Sequence, residues 1–457
     1  MRGKGLGVKY KPMDDSGVAA TNSLAHRLLK HLIDVRAVEM RALGWAWLYI
    51  FSVLFAYYIF RPIRDEMGVA GGVENLPWLF TGTLLGMIAV NPPFAALVAR
   101  LPRVRFIALT YRFFGANLLL FVLLLHMASG EQNIWIGRVF FIWASVFNLF
   151  VVSVFWALMV DVFDAEQGKR LFGFIAAGAT LGGIVGSSVT ASLAKSVSAT
   201  YLLLGSAVLL EIAVFCVRRL SRLSEALHRR PAAGGGETPI GGSVFAGFAH
   251  AFNSTYLINV SVFILLFAIT STFLYFQQAE IARQSFADRG ARTAFFARVD
   301  FWVNVLTLAA QLFVTARALH WVGVGATLAV LPLISIIGFG TLALAPTIAV
   351  LVIYQVIRRA GNFAFARPSR EVLFTVVPRE DKYKAKNFID TVIYRLGDQV
   401  GAWSYAGLAL LGLGMTGIAI VAVPISLAWL VNSLWLGHKQ NVFEATQAAE
   451  SPAAATR

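Results

Sequence analysis

LGWAWLYIFSVLFAYYIFRPIRDEMGV, residues 43–69, decides the fold class. Its first eighteen residues carry no charge and are dominated by Leu, Ile, Phe, Trp and Tyr. A helix that crosses the hydrocarbon core of a bilayer needs about 20 mostly apolar residues, and this run supplies them. Within the next six residues come Arg61, Arg64, Asp65 and Glu66, with Pro62 among them. Four charges closing an apolar helix mark a solvated loop, a membrane anchor or part of a site, and the rest of the chain decides between these.

Composition removes the soluble alternatives. The chain has 457 residues, 58% hydrophobic and 14% charged, with a mean hydropathy of +0.70. Globular domains carry about 25% charged and 45–50% apolar residues, so this chain cannot cover itself with polar surface and is an integral membrane protein. Its 36 Phe and 11 Trp suit lipid-facing surfaces and interfacial belts. The single cysteine, Cys216, excludes an internal disulfide. No cleavable signal is evident at the basic N-terminus. The net charge of +15 falls in particular inter-helical loops, which is the mark of membrane orientation rather than of a nucleic-acid partner. No metal-ligand cluster or nucleophile–base set stands out, so no catalytic residue, metal or cofactor is assigned and no enzyme is expected. Gly178, Gly182, Gly183 and Gly186 in GFIAAGATLGGIVGSS, 173–188, are small residues that let helices approach closely. They do not form a phosphate loop, because no Gly-Lys-Ser/Thr follows.

Apolar runs of spanning length occur twelve times: 43–63, 77–99, 105–128, 132–161, 170–194, 199–217, 253–277, 294–316, 321–343, 346–366, 385–412 and 415–436. The runs are too long for strands and do not alternate. Residues 1–42 form a basic arm, whose leucines at 22–42 predict an amphipathic helix on the membrane surface. Residues 43–217 and 244–440 form two six-helix bundles. The linker 218–243 begins RRLSRLSEALHRRPAAGGG, and 441–457 reads as a disordered tail. Lys and Arg concentrate in the arm, the linker and the loops near 100–105, 164–170 and 367–386. Both termini are therefore expected on the cytoplasmic side of the membrane. Arg283, Arg289 and Arg292 fall on the opposite side and run against that rule.

A shift of 214 residues lays DAEQGKRLFGFI, 164–175, over PREDKYKAKNFI, 378–389. Glu166 then meets Glu380, Arg170 meets Lys384 and Glu66 meets Glu280, while Arg61 and Arg64 find no basic counterpart. The same register brings four helices of one half over four of the other. Repeated halves are common in transporter folds. The expectation is an all-α membrane protein of twelve helices in two six-helix repeats, with major-facilitator-like architecture. The loop ALVARLPRVR, 96–105, lacks the acid and the glycines of that superfamily's usual signature.

Charges inside a bilayer cost about 2.5–3.5 kcal/mol each on insertion scales and normally face the bundle interior with a partner. Arg61 and Arg64, three residues apart, share a helix face. Two guanidiniums there suit bidentate capture of phosphate or carboxylate, against the plainer role of interfacial anchors paired with Asp65 and Glu66. In KNFIDTVIYRLGDQVGAW, 386–403, Lys386, Asp390, Tyr394 and Asp398 recur every four residues, with Arg395 beside Asp398. This stripe is either a binding face or an ion-pair ladder between helices. Asp161 is either a proton carrier or a helix-end residue. Arg112, and Asp300 with Arg298, are further charges in apolar runs. Arg358 and Arg359, with Asn362, are placed to meet an anion or to pair structurally. Asp65, Glu66, Asp161 and Glu280 are the candidates for coupling or gating.

Three stretches resemble one family, the ATP/ADP translocases of plastids and intracellular bacteria. RPIRDEM, 61–67, resembles its R-D-T-K-D-x-L stretch. VSVFWALMVDVFDAEQGKRLFGFIAAGA, 152–179, and NFAFARPSREVLFTVVPREDKYKAKNFIDTVIYRLGD, 362–398, are similar to two later signatures of that family. The resemblance implies a twelve-helix nucleotide exchanger in which basic residues of helices one and eleven take the phosphates. Arg64 and Lys386 fall on those two positions, and Arg61, Asp390 and Arg395 match as well. Pro62 stands where the family has an acid, Gln167 where it has a glutamate, and Ser271 near its helix-seven glutamate. A small anionic solute of nucleotide kind and the lipid bilayer are the expected partners, and a monomer the expected state. A proton-coupled symporter or exporter of another solute remains the alternative, and a non-transporting membrane scaffold or sensor the third reading.

Overall fold

The computed structural model describes residues 35–36, 39–227, 254–377, 385–386 and 388–454. The amphipathic arm (apart from its last residues), most of the linker, and the pairs at Glu380 and Lys384 lie outside the described residues. Among the described residues twelve helical rods follow one another: α1 Met40–Ala70, α2 Leu76–Arg100, α3 Arg103–Met127, α4 Glu131–Val162, α5 Ala165–Leu193 and α6 Ala199–Leu227 in the first half. The second half has α7 Thr255–Ser285, α8 Arg289–Phe313, α9 Thr315–Leu344, α10, α11 and α12 Met415–Ala454. α10 runs Ile348–Gly361, then through a π turn Asn362–Ala366 into Arg367–Leu373. α11 is helical at 385–386 and 388, passes through a π turn, Ile389–Ile393, and continues as Tyr394–Leu410. Eleven of the described helices are long and apolar enough to cross a membrane. α11 is the exception among the twelve, and it is the rod that carries Asp390, Arg395 and Asp398.

The repeat is visible in the packing. α1 packs on α5 and α6 as α7 packs on α11 and α12, α3 meets α6 as α9 meets α12, and α2 meets α4 as α8 meets α10. Met40 and Thr255, the first residues of α1 and α7, are 215 positions apart, and Leu76 and Arg289, which open α2 and α8, are 213 apart. The halves meet through α5 on α8, α2 on α11, and α1 on α7 and α8. Below, the end of the bundle at which α1 and α7 begin is called proximal, and the end at which they finish distal.

The glycine run does what its spacing predicts. A Cβ on Gly182 would sit 2.5 Å from the Phe51 carbonyl oxygen, and one on Gly186 2.6 Å from that of Phe55. The α1 and α5 backbones therefore touch. Gly182→Val is expected to force them apart at a cost of about 1–3 kcal/mol, read as a lower melting temperature. Gly173→Val, at a position with open space around it, should leave it unchanged.

At the start of α1, Glu39 is buried and accepts hydrogen bonds from Arg170 (2.9 Å), Gln167 and the Arg36 N–H. Burial alone would raise its pKa, but these bonds outweigh it and hold the carboxyl below its ordinary value. One expectation is corrected. Residues 441–454 were to be disordered, yet α12 continues through them to Ala454. NVFEATQAAE is rich in helix formers. Gln440, which accepts from the Tyr256 hydroxyl at 2.6 Å and donates to Glu444 at 2.8 Å, ties the extension to α7.

Candidate functional site

Between the halves lies a cavity of about 690 Å³, walled by α1, α2, α4, α5, α7, α8, α10 and α11. Its lining holds six arginines (Arg61, Arg64, Arg358, Arg359, Arg367, Arg395) and three aspartates (Asp65, Asp300, Asp398), an excess of three positive charges. Aromatic rings fill much of the rest, among them Tyr57, Tyr58, Phe80, Trp156, Tyr275 and Phe363. A cavity with apolar walls and a few converging charges is the usual form of a small-molecule site.

The cluster that closes the first apolar run lines this cavity rather than a loop. α1 continues through Pro62 to Ala70, so Arg61 and Arg64 belong to a helix long and apolar enough to cross a membrane. Arg61 donates to Asp300 Oδ1 on α8 at 2.6 Å, and Arg359 on α10 donates to the same oxygen at 2.7 Å. Asp300 is buried and its second oxygen has no hydrogen-bond partner among the described residues. One carboxylate therefore joins α1 of the first half to α8 and α10 of the second. Arg64 grips its neighbour Asp65 at 2.5 Å and lies over the Phe141 ring at 5.1 Å. The Tyr275 hydroxyl donates to Asp65 at 3.0 Å across the halves. Arg395 pairs with Asp398 at 2.9 Å, three residues along the same helix.

Arg358 has neutral partners. Its nitrogens donate to Ser335 Oγ at 3.1 Å, Ser271 Oγ at 2.9 Å, Thr270 Oγ1 at 2.8 Å and the Phe267 carbonyl at 3.3 Å. It is buried and stacks over Phe267 and Trp429. Ser271, near which the resemblance places a lost glutamate, is thus one of the residues that hold this guanidinium.

The sequence grouped other residues with these, and the structure sets them apart. Lys386 pairs with Glu371, and Asp390 forms an ion pair with Arg370 at 3.4 Å. Both face α10 at its proximal end and neither lines the cavity. These pairs join α10 to α11, and the π turn at Ile389–Ile393 interrupts the four-residue stripe. Asp161 pairs with Arg103 at the proximal ends of α3 and α4, again outside the cavity. Arg112 pairs with Glu211 of α6 at 3.1 Å on an exposed face.

Glu66 acts across the halves instead. It is buried under two arginines of the second half: Arg289 at 3.0 Å through two nitrogens, and Arg292 at 3.0 Å. These are two of the three arginines that run against the charge rule. The third, Arg283, pairs with Glu280 at 2.7 Å on its own helix, so Glu280, the repeat partner of Glu66, makes an intrahelical pair and not an inter-half one. Around the Glu66 clamp, Val69, Val73, Leu76 and Leu79 join Phe273, Phe276 and Phe295 in one apolar cluster. Thr81 accepts from the Trp403 indole at 3.1 Å and donates to Gln399 at 2.9 Å. These contacts join the two halves at the distal end.

Sequence reasoning missed Asp300 as the junction and Arg367 as a wall residue. Asp300 carried a signal, since an acid in an apolar helix needs a cationic partner. Arg367 was counted with the loop cations.

No protein-family model matches the chain. It is 20% identical to ADP,ATP carrier protein 2 of Chlamydia pneumoniae over 90% of this chain and 91% of that one. Its fold is similar to that of the nucleoside transporter NupG, with a TM-score of 0.59 and 13% identity over 87% of this chain and 98% of that structure. It is also similar to a bacterial homologue of the human lysosomal transporter Spinster in an inward-facing, unoccupied conformation, with a TM-score of 0.51 and 13% identity over 90% of this chain and 96% of that structure. The similarity read from three short stretches thus extends along the chain, and the fold is the one shared with these two solved structures.

Proposed function

We propose that this membrane transporter exchanges an organic anion, a nucleotide of the ATP/ADP kind, by alternating access. The observation that carries the reading is the excess of three positive charges in an aromatic-walled cavity between the two halves. Guanidiniums suit phosphate oxygens, and the rings offer faces on which a base can stack. The similarity to an ADP,ATP carrier supports the same cargo. Exchange follows from the charge. Reorienting the empty cavity moves uncompensated cations through a low-dielectric bundle, at about 2.5–3.5 kcal/mol for each on insertion scales. Bound anion offsets that cost, so the loaded carrier turns over and the empty one stalls.

In this reading the chain sits in the bacterial cytoplasmic membrane as a monomer with both termini inside, as its Lys/Arg loops suggest, and the distal end faces outward. Arg61, Arg64, Arg358 and Arg395 are cavity cations for cargo, Asp65 and Glu66 link binding to the outer seam, and the Lys386–Glu371 and Asp390–Arg370 pairs belong to the inner ends of α10 and α11. A proton-coupled carrier is the second reading, kept because three aspartates line the same cavity. The test is a thermal-shift screen of the purified full chain. ATP and ADP should raise the melting temperature more than inorganic phosphate or dicarboxylates do. Absence of any shift with nucleotides overturns the proposal.

A further inference from the structure

We propose that the anionic end of the cargo docks on α10, with Arg367 as the guanidinium that contacts it, and that the preferred group is a polyphosphate rather than a single phosphate. This rests on the anion-transport reading above but places the contact away from the Arg64 and Lys386 pair.

The wall's charges sort themselves. Asp65 is taken by Arg64 at 2.5 Å, and Asp398 by Arg395 at 2.9 Å. Asp300 is shared by Arg61 and Arg359 through one oxygen, which leaves one of those two charges in excess. The other two cations are Arg358 and Arg367, which make no ion pair with a carboxylate among the described residues; Asp390, the acid that acts on Arg367 through space, is paired with Arg370 at 3.4 Å. Arg358 and Arg367 lie on α10, and Arg359 of the shared pair does too. The excess is therefore not spread around the cavity but gathered along one helix of the second half.

Within that helix the donors differ. Arg358 has already given its N–H groups to two serines, a threonine and a carbonyl, so it contributes field more than contact. Arg367 makes no hydrogen bond or ion pair with any described residue. Its side chain is exposed yet lines the cavity, lying over the Phe363 ring at 4.6 Å, which holds its plane while leaving its donor edge free. Between the two arginines lies the π turn Asn362–Ala366, whose extra residue turns Arg367 out of the register that a regular helix would give it. Such turns are rare and frequent at functional sites. A phosphate monoester carries about −1.5 to −2 at neutral pH. Matching an excess of three positive charges therefore takes more than one phosphate.

The experiment measures binding of ADP, AMP and inorganic pyrophosphate to the purified full chain, wild type against Arg367→Gln and Arg367→Lys. The expected result is ADP tighter than AMP in the wild type, a loss of about tenfold or more for ADP and pyrophosphate in Arg367→Gln, and a smaller loss in Arg367→Lys. The melting temperature without ligand should fall only slightly, because the contact with the Phe363 ring is what Arg367 has to lose among the described residues. Wild-type affinity in Arg367→Gln overturns the assignment while leaving nucleotide transport standing, and AMP binding as tightly as ADP overturns the polyphosphate preference. Pyrophosphate binding that depends on Arg367, with no nucleotide binding at all, upholds the subsite and removes the nucleotide. Failure of all three anions to bind overturns both.

Discussion

Asp300→Asn is expected to abolish transport and to lower the stability of the purified protein by about 3–5 kcal/mol, the usual consequence of removing one partner from a buried ion pair. The effect is large because a single carboxylate oxygen serves two guanidiniums, at 2.6 Å and 2.7 Å, and each arginine side chain is only 17% exposed. Without it, Arg61 and Arg359 face each other with no acid between them. The loss is also directional in function, because this contact ties α1 to α8 and α10 and so couples the two halves. Adding Arg359→Gln to Asp300→Asn should recover part of the stability, since one of the two stranded charges is then gone. A double-mutant cycle on melting or chemical unfolding measures this coupling, and simple additivity of the two changes contradicts the shared-oxygen arrangement.

Glu66→Gln is expected to open the distal seam. Its carboxylate is buried beneath Arg292, whose side chain is 11% exposed, and Arg289, which is 50% exposed. The Arg289 contact is discounted for solvent screening, so Arg292→Gln should reproduce most of the effect of Glu66→Gln and Arg289→Gln less of it. The readout is thiol accessibility. Cys216 is the single cysteine and is buried, so a Cys216→Ser background carrying Leu84→Cys, at a cavity position, reports entry from the distal side. Labelling by a membrane-impermeant reagent should rise at least about tenfold in Glu66→Gln. Equal labelling in the two proteins means that the clamp does not hold the seam.

These two residues also mark how far the sequence could be read. The spans were legible because membrane insertion depends on local composition, and the repeat because a common register left its trace at Glu66 and Glu280. Arg61 and Arg64 were legible as residues of the first helix of spanning length, since an apolar run led into them without a break. Their partners were not. Arg61 and Asp300 are 239 positions apart, and nothing local at either end names the other. The cations at 289 and 292 looked like a fault in the charge rule until Glu66 was found beneath them. The stripe on α11 is divided for a different reason. Four-residue spacing assumes a regular helix, and the π turn at Ile389–Ile393 turns Lys386 and Asp390 toward α10 while Arg395 and Asp398 stay in the wall. Arg367 was hidden by its place after an apolar run, where the counting of loop charges claimed it.

The central claim is that a cavity with excess positive charge turns over only when an anion fills it. Proteoliposomes containing the full chain test this most directly, by uptake of radiolabelled ATP into vesicles loaded with ADP compared with vesicles loaded with buffer alone. The account predicts rapid uptake into the ADP-loaded vesicles, little into the empty ones, and no change when a pH gradient is imposed or collapsed. Uptake into empty vesicles that depends on the pH gradient contradicts it and favours a proton-coupled carrier.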